Sequence, residues 1–73
     1  MNRADRVYEY MKRYGSITPL DALRDLGYMR LAAAIFELKR NGCAVHTKTE
    51  FYKTVDGRTV HYARYSLGDE NEV

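Results

Sequence analysis

Residues 18–42, TPLDALRDLGYMRLAAAIFELKRNG, decide how the rest of the chain is read. Pro19 suits the first position of a helix, where a missing N–H has no partner to lose. Thr18 before it can cap, and Asp21 completes a capping box. Leu20, Leu23 and Leu26 recur at helical spacing and predict a buried stripe. Gly27 stops this helix, because the position past a helix C-terminus often requires positive φ. A second helix is predicted from about Met29 to Asn41, ending at Gly42. Two short helices joined by a tight turn outline a helix-turn-helix, whose second helix can enter the DNA major groove.

Upstream, a first helix is expected from about Arg3 to Tyr14. Asn2 can cap it with Asp5 three residues on, Lys12 and Arg13 complement its negative end, and Gly15 ends it. Val7, Tyr10, Met11 and Tyr14 fall on one face and should pack on the helix-turn-helix. Ser16-Ile17-Thr18 either links the helices or forms a short strand at 16–18. The strand is favoured, since it buries Ile17 and gives a later hairpin a third partner.

Around the second helix of the motif, Leu31, Ile35 and Leu38 cluster in a narrow arc that must face the core. Arg30, Ala33, Glu37 and Arg40 lie opposite, and Phe36 sits at the boundary. Ala32, Ala33 and Ala34 keep this helix thin. After Gly42 the period changes to two. Residues 44–67 are rich in Val, Thr, Tyr and Phe around Asp56-Gly57, which signals a β-hairpin. A two-residue turn would put Val45 and Leu67 on opposite faces. A three-residue loop, Val55-Asp56-Gly57 with left-handed Gly57, pairs Thr54 with Arg58 and aligns Val45 with Leu67. One face then carries Val45, Thr47, Ala63, Tyr65 and Leu67; the other carries Lys48, Tyr52, Tyr62 and Arg64. Lys53 and Arg58 lie near the tip. The expected fold is therefore α+β: a winged helix-turn-helix of three helices followed by a hairpin wing.

The chain has 73 residues, enough for one small domain. That domain is placed at 1–68, with a frayed acidic tail at 69–73. Net charge is +2, but Asp69, Glu70 and Glu72 lie in the tail. Residues 1–68 thus carry 12 positive against 7 negative side chains, a basic body suited to phosphate contacts. No apolar run approaches a membrane span, so no membrane partner is expected. Cys43 is the single cysteine, which excludes an internal disulfide and suits a reducing cytoplasm. Cys43, His46 and His61 fall short of a zinc signature, so neither a metal nor a cofactor is expected. Paired carboxylates, a nucleophile beside a base, and a glycine-rich phosphate loop are all missing in usable context, which argues against an enzyme and against a small-molecule substrate. Cys43 and His46 fall on opposite strand faces, so Cys43 is read as a packed apolar residue.

The segments SITPLDALRDLG, Arg30-Leu31, IFELKRNG and Ala63-Arg64-Tyr65 before Leu67 resemble a helix-turn-helix family common in small phage and prophage proteins. The resemblance covers about Val7 to Leu67. It implies a DNA-binding protein of a bacterial host's cytoplasm, acting as a repressor or as a recombination and excision accessory factor. Arg30, Ala33, Glu37 and Arg40 would then face bases, and Lys48, Lys53, Arg58 and Arg64 would hold phosphates. A module this small is expected to act as a homodimer or with a larger partner. Two positions depart from the family: Met29 stands where Thr is frequent, and Ala34 where Arg is frequent. Both remove polar groups. An alternative follows, in which Tyr28, Met29 and Phe36 make the fold a phage-encoded inhibitor of a host protein complex.

Overall fold

The computed structural model describes residues 2–68; the tail expected at 69–73 lies outside them. The order is α1 (Arg3–Tyr14), α2 (Pro19–Asp21) running into a π-helical turn (Ala22–Leu26), α3 (Leu31–Arg40), β1 (Val45–Lys53) and β2 (Thr59–Leu67). Both predicted capping boxes form. The Asn2 side chain accepts from the Asp5 N–H at 2.9 Å, and that of Thr18 accepts from the Asp21 N–H at 3.2 Å. Each acid reaches back to the backbone N–H of its cap. Gly15 closes α1 at φ 92°, a conformation that favours glycine.

The leucine stripe is the main correction. Leu20 is 65 % exposed and Leu23 48 %, whereas Ala22 is fully buried. The inward line is Thr18, Ala22 and Leu26, spaced four apart rather than three. The turn is also widened. The Gly27 N–H reaches the Ala22 and Leu23 carbonyls, and the Tyr28 N–H reaches the Ala22 carbonyl at 3.0 Å. Leu20, ahead of the widened turn, lies about 160° round the helix from Ala22 and Leu23 about 100°, so burying Ala22 turns both outward.

The last helix of the motif is shorter than the expected 29–41. Arg30 has non-helical backbone, φ −115° and ψ 56°, and its side chain makes no cap. Met29 and Arg30 therefore belong to the link, and the helix starts at Leu31. Leu31, Ile35 and Leu38 are buried as expected, joined by Ala34.

Ala4, Val7, Met11, Ile17, Ala22, Leu31, Ala34, Ile35 and Leu38 form the core. Val45, Tyr65 and Leu67 close it from the base of the hairpin. Tyr14 does not join it: it is 62 % exposed and its ring leans on Tyr10, tilted at 47° with 4.6 Å between centroids. The expected strand at 16–18 contracts to one bridge, Ile17 to Tyr65, with both backbone bonds made at 2.8 and 2.9 Å.

The hairpin has the predicted register. Val45 faces Leu67, and the pairing runs without interruption to Lys53 and Thr59. The Thr54 N–H donates to the Arg58 carbonyl at 2.8 Å, and the Gly57 N–H to the Thr54 carbonyl at 3.0 Å. Gly57 sits at φ 86°, the left-handed position of the bulged loop. Each strand has nine residues, so the wing extends about 30 Å, well beyond the helical body. On β1 the distal positions from Phe51 to Lys53 are exposed on both faces, and so is Thr47 nearer the base, whereas Val60 and Tyr62 on β2 are half-buried.

Candidate nucleic-acid interface

The outward surface of α3 is short of polar groups. Ala34 is buried, so an arginine there would displace core rather than reach outward. Ala33 is half-buried, while Glu37 and Arg40 are exposed. Arg30 is exposed at the link just before the helix. Lys39, absent from the sequence-based set, is exposed in the last turn beside Arg40. At 100° per residue it lies about 100° round the helix from Arg40, past Phe36 and nearer Ile35, so it flanks the predicted face rather than belonging to it. Among the described residues no carboxylate pairs with Arg30, Lys39 or Arg40. Arg40 instead lies 6.0 Å from the centroid of Phe36. Phe36 itself is 63 % exposed, beyond the boundary position expected of it.

The wing cations divide. Lys48 and Lys53 are exposed, and Arg58 projects at the tip with Asp56 at 3.2 Å. Arg64 differs from these. Its Nε donates to Glu50 Oε1 and its Nη1 to Ser16 Oγ, both at 2.8 Å. The guanidinium is thus occupied inside the protein, where it ties the wing to the α1–α2 link. Strand parity shows the face of Arg64, but not that it bonds Glu50 on the diagonal rather than serving phosphate; directly opposite it stands Lys48. Arg64 holds the Glu50 carboxyl below its usual range, and Glu50 raises Arg64 in return. The Tyr62 hydroxyl is pushed up chiefly by the same carboxylate.

The residues named for protein contact also separate. Met29 is 81 % exposed. Tyr28 is half-buried against the core, with Arg3 at 5.2 Å from its ring.

A second cluster was not read from sequence. Arg24 pairs with Asp21 and Asp25, each at 2.9 Å, and the Tyr10 hydroxyl donates to Asp25. It fastens α1 to the π-helical turn. Tyr10 and Asp25 are 15 positions apart, and no periodic signal links them.

Three helices, a left-handed turn between the second and third, and a long antiparallel hairpin define a winged helix domain, with exposed cations on the third helix and on the wing. The chain belongs to the winged helix-turn-helix domain family, which it matches over residues 2–70. That is a class of DNA-binding domains. No curated protein and no solved structure matches the chain. No helix among the described residues is long and apolar enough to cross a membrane.

Proposed function

We propose that the protein binds double-stranded DNA with α3 in the major groove and the wing against the backbone. The observation that carries this reading is the set of exposed cations, Arg30, Lys39 and Arg40, at the two ends of a slim helix, none paired with a carboxylate among the described residues. Arg30, Ala33, Glu37 and Arg40 lie nearest the bases, and Lys39, on the flank of the helix, meets the backbone. Lys48, Lys53 and Arg58 hold phosphates, and Arg64 sets the angle of the wing. The small polar inventory of α3 gives backbone contacts most of the affinity. The task that fits the resemblance is that of a repressor or a recombination accessory factor of a phage or prophage, working in a bacterial cytoplasm. Gel shift across a salt series tests it. Binding should weaken steeply with salt, Arg30→Ala should weaken it further, and Lys53→Ala should lower the log–log salt slope by about 1. Absence of binding to any duplex at low salt overturns the proposal.

One observation favours a second reading. Met29 and Phe36 present large apolar side chains where base-reading groups usually sit. These would suit a host protein complex held and inhibited by this surface, with half-buried Tyr28 next to Met29 in the chain. Met29→Ser together with Phe36→Ser distinguishes the two: lost protein capture with DNA binding kept supports this second reading.

A further inference from the structure

We propose that the outer edge of β1 is a self-complementary interface, where two copies of this chain pair antiparallel about Thr49 to make a four-stranded sheet. The inference does not rest on DNA binding.

The backbone carries the first part of the argument. In an antiparallel pair, consecutive residues of a strand point their N–H and C=O alternately toward and away from the partner. The Thr54 N–H bonds to the Arg58 carbonyl, and the Gly68 N–H to that of Ala44, so even-numbered positions of this segment face β2. On β2, Tyr65 turns its N–H and C=O the other way, to Ile17. Tyr65 stands opposite Thr47, which therefore also points outward. Val45, Thr47, Thr49, Phe51 and Lys53 thus present their backbone groups away from β2. The sheet has two strands, and among the described residues no strand or bridge covers that edge. The positions from Thr47 to Thr49 and from Phe51 to Lys53 are exposed. An edge of nine residues in unbroken register, left open, is a pairing surface.

Charge selects the register. With the two-fold axis at Thr49, Lys48 of each copy stands directly opposite Glu50 of the other, twice per dimer. Moving the axis by one residue places Lys48 against Lys48, or Glu50 against Glu50, and like charges directly opposite are destabilising. Thr49 is also the midpoint of β1, so this register pairs Val45 with Lys53 and leaves no overhang. It also matches outward backbone groups to outward ones, for about ten inter-copy hydrogen bonds. The backbone phase requires an axis on a whole residue, and among those the strand length and the charge order independently pick Thr49. Glu50 is preset for the role, since Arg64 already fixes its carboxylate at 2.8 Å. The charges that discourage promiscuous edge pairing thereby favour one partner, a second copy.

Sedimentation of the full chain over a concentration series tests the proposal. The expected mass is twice the 8.5 kDa of one chain at high concentration, with no larger species. Thr49→Pro should abolish the dimer and keep the fold. The Thr49 N–H points away from β2, so proline removes no internal ladder bond. Lys48→Glu and Glu50→Lys should each be monomeric alone. Mixed in equal amounts they should recover a dimer, since every facing pair is then of opposite sign. Circular dichroism of each variant confirms folding, and the mixture reports on pairing because both components are present in its unmixed controls. A wild-type chain that stays monomeric up to millimolar concentration, or a dimer indifferent to Thr49→Pro, overturns the proposal. So does a mixture that fails to associate.

Discussion

Asp25 shows how much one carboxylate can organise in so small a domain. It accepts from the Tyr10 hydroxyl on α1 and from Arg24 within its own turn. The Arg24 guanidinium first, and the Tyr10 hydroxyl second, pull its pKa from 3.8 to about 2. Tyr10 moves up from 10.0, chiefly because its proton is shared with Asp25. A carboxyl with a depressed folded pKa adds stability above its unfolded value, and loses it as pH falls through the folded one. The Asp25 contribution should therefore be complete above about pH 4 and fade toward pH 2. A phenol with a raised folded pKa behaves in the opposite sense, so the Tyr10 contribution should hold below pH 10 and fade above it. Melting temperature recorded against pH checks both limbs. Asp25→Asn should make the acid limb shallower, leaving what Glu50 and Asp56 contribute, since their pKa values are also lowered. Tyr10→Phe should remove this cluster's share of the alkaline limb. An acid limb unchanged in Asp25→Asn would show that the cluster does not couple α1 to the turn in solution.

Among the elements, the π-helical turn separates what periodicity predicts from what packing selects. The leucines at 20, 23 and 26 carry the obvious pattern, yet the small residue Ala22 occupies the buried position. Replacing it with leucine would overfill a site with no room to give, at a cost of about 1–3 kcal/mol. Leu20→Ala and Leu23→Ala remove exposed side chains and should cost less than about 0.5 kcal/mol each. Ile17→Ala empties a fully buried site and should cost about 2–5 kcal/mol, loosening the bridge to Tyr65 as well. Chemical denaturation of the four variants gives the ranking. A leucine stripe that was inward after all would reverse it. The same contrast explains what the chain reveals of itself. Caps, glycine stops and the hairpin register depend on neighbours within a few positions, so Thr18, Gly57 and the Val45–Leu67 alignment are legible in sequence. The winding of the turn, the start of α3 at Leu31 and the Arg64–Glu50–Ser16 tie depend on contacts across elements. The candidate interface was legible only in part for that reason: the exposed cations Arg30, Arg40 and Lys53 follow from face and position, but which arginine is spent internally does not.

For the whole molecule, the question is how a wing of about 30 Å stays oriented on a body that holds it only by its base. Three contacts do this: the Ile17–Tyr65 bridge, the packing of Val45, Tyr65 and Leu67 on the core, and the Arg64 guanidinium held by Glu50 and Ser16. The apolar contacts hold the base of the hairpin, whereas Arg64 also engages the α1–α2 link from the opposite face of β2. Arg64→Met keeps much of the side-chain volume and removes both charged bonds. Its exposure is intermediate, so the global stability change should be small, of the order of 1 kcal/mol. The motion of the wing should change more. Amide exchange along β1 and β2 should accelerate, while the amides of α1 and α3 keep their protection. If the wing holds DNA, affinity should fall without a change in salt slope, because orientation is lost and no phosphate contact is removed. Arg58→Ala should do the reverse, lowering the slope while exchange stays as it was. Were Arg64→Met to lower the salt slope as Arg58→Ala does, Arg64 would be a phosphate ligand, and its internal ion pair would open on the DNA.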